Sequence, residues 1–172
     1  MTVKSGFTHG KKLDSATWAA TGEKLAAGEH PPVAQQFYCD ALLRVSERDM
    51  RQAVIALGIA CELKVRELIS DALAAKHPFL PALLEKYGRF SFQDSIKSLI
   101  RDLDGQPFSA GHDEANKLVN SLYEMRGKAT HKGACTFDLA GKRQELDADN
   151  MGKFFEATDA LFTWCDEQED AR

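Results

Sequence analysis

Apolar residues recur along most of this chain at steps of three and four, the period of a helix, and almost nowhere at steps of two. Between Asp49 and Lys76 the positions Val54, Leu57, Cys61, Val65, Leu68 and Ala72 keep that step, and the run from Val54 to Cys61 is apolar all round. A helix segment that is apolar on every side belongs at the centre of a bundle, covered by neighbours. Gly58 interrupts the run. Glycine costs up to about 1 kcal/mol in a helix interior, so its presence there predicts a close helix crossing.

The same period predicts the flanking helices. Pro31-Pro32 opens one over 32–46, with Val33, Phe37, Ala41, Leu42 and Val45 on its inner side. His77-Pro78 stops the central helix of 49–76. Short helices over 79–87 and 91–103 follow, the second capped by Ser91, and Asp104-Gly105-Gln106-Pro107 is a turn signal. Asp113 is placed to cap a helix over 113–132 with Leu118, Leu122, Met125 and Ala129 as its core stripe and Gly133 just past its end. Residues 133–146 read as a loop with a brief extended piece at Cys135-Thr136-Phe137. Asp147 or Asp149 starts a last helix to about 166, seamed by Met151, Phe154, Phe155, Thr158, Leu161, Phe162 and Cys165, before a solvated tail of Asp166 to Asp170. Residues 1–30 are weakly periodic, with room for one short helix from Asp14 or Ser15. The expectation is an all-α, up-and-down bundle of five to six helices over 31–168, behind an N-terminal extension of residues 1–30.

Composition narrows the function. A chain of 172 residues supports one domain with a real core. The net charge is −4, so no global field draws it to nucleic acid, and any such contact must be local. No apolar run reaches the length of a membrane span, and the N-terminus lacks the apolar stretch of a signal peptide. The cysteines are Cys39, Cys61, Cys135 and Cys165; Cys39, Cys61 and Cys165 sit in apolar helical patterns, as buried reduced thiols do. A reducing cytoplasm is the expected compartment. No CxxC pair or Cys/His cluster appears, so no zinc or other metal is expected. There is no GxSxG, Walker-type glycine loop or HExxH, and no cofactor is expected.

The segment from Leu122 to Gly133 carries the most chemistry. It joins an apolar seam to Arg126 and places His131 five residues later. Arginine and histidine together bind a phosphate and move a proton, the minimum equipment for cutting RNA without a metal. Residues five apart on one helix differ by about 140° in direction, so Arg126 lies on the flank of the seam and His131 points well away. Two routes bring them to one phosphate: a distortion near Gly127, or a second protomer across a two-fold axis. Between Met125 and Arg143 the basic residues Arg126, Lys128, Lys132, Lys142 and Arg143 face only Asp138 as an acid. Doubled in a dimer, that window would make a groove for an RNA backbone. The plainer reading makes Arg126 a structural ion-pair partner and His131 a residue suited to a helix C-terminus. Glu62 and Arg66, four apart, favour a simple ion pair, with a second reading in which one of them reaches toward Arg126 and His131.

Arg126-x4-His131, within Leu122-Tyr123-Glu124-Met125-Arg126-Gly127-Lys128-Ala129-Thr130-His131-Lys132-Gly133, resembles the signature of the HEPN superfamily, small helical domains marked by arginine, four to six residues, then histidine. Phe37-Tyr38-Cys39-Asp40-Ala41 and Arg51 to Leu63 look like the long helices ahead of that motif, and Glu62-x3-Arg66 is similar to an accessory pattern of some members. Leu161 to Cys165 resembles the family's last helix, so the likeness covers about residues 32–166. It implies a metal-independent endoribonuclease acting as a homodimer. Histidine would move protons, arginine would bind the phosphate, and the product would carry a 2′,3′-cyclic phosphate. Lys128, Lys132, Lys142 and Arg143 would hold RNA, with Glu62, Arg66, Gly127 and Thr130 as accessories. The resemblance also implies toxin–antitoxin, phage-defence or RNA-processing roles, with an antitoxin or an associated effector as partner. One departure is Gly127, where many active members carry a polar side chain, often asparagine. That departure motivates an alternative, a non-catalytic module binding RNA, nucleotide or protein. A third reading is a structural bundle that simply dimerises.

Overall fold

The computed structural model describes residues 22–24, 26–28, 30–76, 91–103, 105–139 and 141–171. The expected helix from Asp14 or Ser15 begins outside these, and the one over 79–87 lies outside them altogether. The chain divides into two compact units, residues 1–32 and 33–172. In the first, residues 22–24 and 26 are helical, and Ala27 donates its N–H to Glu23 before Gly28 turns left-handed at φ 77°.

The second unit is an all-α bundle with one small hairpin. α1 spans Val33–Ser46 and α2 Met50–Lys76. A continuous helical stretch, α3, runs through Phe92–Asp94, Ser95–Leu99 and Ile100–Asp102, its middle part wound as a π-helix. α4 spans Asp113–Lys132, β1 Thr136–Leu139, β2 Lys142–Glu145 and α5 Ala148–Asp170. Residues 47–49 are enough only for a reversal, so α1 and α2 pack antiparallel. Asp49 makes the turn productive by accepting the N–H of Gln52 at 3.0 Å, an N-cap to α2.

Cross-contacts set the remaining directions. Arg51 meets Ala129 and Glu62 meets Arg126, so α2 and α4 run antiparallel. Cys61 meets Thr158 and Lys64 meets Asp166, so α2 and α5 run parallel. α2 is the central rod that its composition requires, with Ala53, Val54, Leu57, Ala60, Cys61, Val65 and Leu68 buried against α1, α4 and α5. Aromatic edges close the core: Tyr38 packs on Phe155 at 5.3 Å and Phe108 on Trp164 at 5.4 Å.

Several expectations change. The brief extended piece expected near Thr136-Phe137 is the start of a strand, and Thr136–Leu139 and Lys142–Glu145 pair as an antiparallel hairpin where a loop was expected, with Thr136 opposite Glu145 and Phe137 opposite Gln144. Gly141, left-handed at φ 76°, serves its turn, and Phe137 anchors it on Phe154 at 5.1 Å. Asp113 does not cap α4; it lies in the first turn and pairs with Lys117 at 2.7 Å, and His112 precedes the helix. Val119 joins the stripe as a buried residue, while Leu118 is only partly buried against the core. Val33, expected on the inner side of α1, is half exposed, and Cys39, expected in an apolar pattern, is exposed. The acidic end of the chain is helical through Asp170, held by Lys64 between Asp166 and Glu169 at 2.7 and 3.3 Å. Ser91 caps α3, Asp147 caps α5 by accepting from Asn150 at 2.7 Å, and Gly133 closes α4 in the left-handed conformation, φ 67°. No helix among the described residues is long and apolar enough to cross a membrane.

Candidate functional site

Arg126 leaves α4 beside the buried stripe of Val119, Leu122, Met125 and Ala129. Its aliphatic shaft lies directly on Gly58 of α2. A Cβ on Gly58 would stand 2.8 Å from Arg126 Cδ, closer than carbon atoms pack, and a tight 3.3 Å from its Cβ and Cγ. The crossing predicted from Gly58 is therefore made by this arginine. One turn further along α2, Glu62 accepts a hydrogen bond from Arg126 Nη1. On its other side the guanidinium stands 5.4 Å from the ring centre of Tyr123, a cation–π contact. Tyr123 in turn stacks on Phe92 of α3 at 5.3 Å.

The Glu62–Arg126 pair is sealed only in part. The side chains keep 31% and 26% of their surface in water. Arg66, largely exposed, approaches the other carboxylate oxygen of Glu62 at 3.7 Å. Glu62 thus serves both arginines at once, joining the simple i,i+4 pair to the longer reach across the bundle. Thr130 lies on the same face of α4 and donates its hydroxyl to the Arg126 carbonyl at 2.9 Å.

His131 sits elsewhere. It is exposed in the last turn of α4 and has no hydrogen bond or ion pair among the described residues. α4 is regular from Asp113 to Lys132, so the helix does not distort at Gly127. Arg126 and His131 of one protomer remain about 140° apart around that rod and about 7.5 Å apart along it. Gly127 lies one turn before His131, and a Cβ there would meet nothing within 4 Å. The histidine face is open.

The basic window divides in the same way. Lys128 is half-buried and Lys132 exposed near the end of α4. Arg143 is on β2, donating to the Thr136 hydroxyl at 3.1 Å, with Asp138 directly opposite it in the hairpin. Lys142 pairs in register with Leu139; its side chain lies outside the described residues. Arg126 stands apart, beside α2.

Sequence reasoning missed Arg51. Its Nε donates to the Ala129 carbonyl at 3.0 Å, across 78 residues of chain. A cation over the last carbonyls of α4 suits the negative end of that helix dipole. The only signal was an arginine near the start of the helix expected at the centre of the bundle, which says nothing of the neighbour or the register it meets. Among the described residues no group of three His, Cys, Asp or Glu side chains is arranged to hold a metal ion. Burial pushes the Cys61 thiol up to about 12, although Thr158 beside it works the other way. Such a thiol is inert.

No protein-family model matches the chain, and neither the curated proteins nor the solved structures compared with it give a significant match.

Proposed function

We propose that the chain is a HEPN-like, RNA-cleaving domain whose active unit is a homodimer. The observation that carries this reading is the pairing of Glu62 with Arg126 across the bundle, which gives the accessory glutamate a partner inside the Arg-x4-His motif. The pair orients Arg126 at a partly open surface, where a phosphate competes for the guanidinium. His131 stands free to move a proton. Because α4 is straight, the His131 that serves a given Arg126 comes from the other protomer. In the reaction the 2′-hydroxyl attacks the adjacent phosphorus, the 5′-oxygen leaves, and a 2′,3′-cyclic phosphate remains. His131 takes or returns the proton, and Arg126 stabilises the charge on the phosphate oxygens. A cytoplasmic setting and an antitoxin or associated effector as partner belong to the same reading.

A second reading is favoured by Gly127 and by the hold of Glu62 on Arg126. In it the domain binds RNA without cutting it. Incubation of a labelled RNA with the full chain in chelator separates the two. Cleavage to cyclic-phosphate ends, lost in His131→Ala, supports the enzyme. Equal products with and without His131 refute it, and retention of intact RNA supports the binding module.

A further inference from the structure

The connection between α1 and α2 brings two more arginines to the end of α4 that carries His131. Arg51 reaches that end directly through its bond to the Ala129 carbonyl. Arg48 lies three residues earlier and holds a left-handed backbone, φ 63°, a conformation that favours glycine. The acids of this connection are already engaged. Glu47 binds Arg44 at 2.8 Å, and Asp49 accepts the Gln52 N–H at 3.0 Å. The Arg48 guanidinium and the terminal amines of Arg51 have no acidic partner among the described residues, and both residues are exposed. Lys128, His131 and Lys132 lie within the same final turns of α4. The opposite end of α4 carries Asp113 and Glu114, and the matching end of α5 carries Asp166, Glu167, Glu169 and Asp170.

We infer that Arg48 and Arg51 are phosphate-binding residues that extend the RNA track from the end of α4 across the α1–α2 connection. The inference rests on the proposed RNA-directed function and adds residues that the Arg-x4-His motif does not contain. The partner is the sugar–phosphate backbone of single-stranded RNA, recognised by charge and without base readout. An arginine at a left-handed position where glycine would be relaxed fits a position used for its charge. Arg51, tethered at Nε, presents its two terminal amines in a fixed plane, the geometry that matches two phosphate oxygens.

The test uses a short 2′-O-methyl single-stranded RNA, which binds but cannot be cut through a 2′-hydroxyl. Fluorescence anisotropy against salt is measured for the full chain, Arg48→Gly, Arg51→Gln and, as control, Lys117→Gln at the far end of α4. Arg48→Gly relaxes the backbone and is expected to melt no earlier than wild type, so loss of binding in it is not loss of fold. Each arginine variant is expected to weaken binding roughly fivefold at low salt and to reduce the log–log salt slope by about 1, while the control changes neither. Wild-type affinity and slope in both arginine variants overturn the inference. If His131-dependent cleavage of ordinary RNA persists alongside that result, the inference falls and the proposed activity stands. Weakened binding without any cleavage reverses that outcome. A wild-type chain that does not bind the RNA overturns both.

Discussion

The carboxylate of Glu62 holds Arg126, and the arginine reaches it by lying across Gly58, one turn earlier on the same helix. Glycine is the only residue that leaves room for the shaft. The local cost of Gly58 in the helix is thus offset by a tertiary contact that joins α2 to α4.

Gly58→Ala tests this balance. Helix propensity alone would gain about 1 kcal/mol. The new Cβ must displace Arg126, whose own Cβ is fixed to α4, and overpacking of this kind costs about 1–3 kcal/mol. A net loss of stability is expected in urea denaturation. In an Arg126→Ala background the same substitution is expected to stabilise. A gain in both backgrounds would show that the contact is not restrictive.

Gly127→Asn probes the other glycine of the site. A Cβ there meets nothing within 4 Å, so folding is expected to be retained, and the helix gains a few tenths of a kcal/mol over glycine. The expected result is a similar or slightly higher melting temperature and, under the proposed RNA-cleaving reading, faster RNA cleavage. Slower cleavage by a well-folded variant would argue that the open face beside His131 is itself required.

Thiol chemistry reports on the core. Cys39 is expected to react with an aromatic disulfide reagent in the native protein, while Cys61 and Cys165 react only on unfolding. The pKa of Cys61 is raised by burial from 9.0 to about 12. The neutral thiol is therefore the form favoured by folding. Its stabilising effect is complete below pH 9 and is lost as pH rises toward 12. Chemical denaturation at pH 7 and pH 10.5 should show a smaller alkaline loss in Cys61→Ala than in wild type.

Asp147→Ala removes the side chain that accepts the Asn150 N–H at the start of α5. A loss of about 1 kcal/mol is expected, read as a lower urea midpoint with an unchanged slope. Asp113→Ala, at a position that only pairs with exposed Lys117, is expected to cost less.

The long helices were legible because their burial is periodic. Val54 to Ala72 could be buried together only on a rod surrounded by others, and Gly58 announced the crossing. What crosses it was not legible, since the antiparallel register of α2 on α4 is a tertiary fact. The hairpin escaped because its strands are four residues each and, among the described side chains of the two strands, only Phe137 is deeply buried. A single apolar contact leaves no alternation to read. Asp113 looked like a cap because capping and ion pairing ask for the same residue type near a helix start. Within the candidate site, Arg126, His131 and Glu62 were singled out from spacing together with the family resemblance, and the contact between Arg126 and Glu62 is what the structure adds. Their division onto two faces followed from the helical angle, but the regularity of α4 through Gly127 could only be seen in three dimensions.

That regularity turns copy number into a variable of the chemistry. If one phosphate must meet a guanidinium and an imidazole that a single rod holds on different sides, then a lone molecule carries only half of the apparatus. Turnover per molecule should rise with protein concentration and level off once every copy has found its twin.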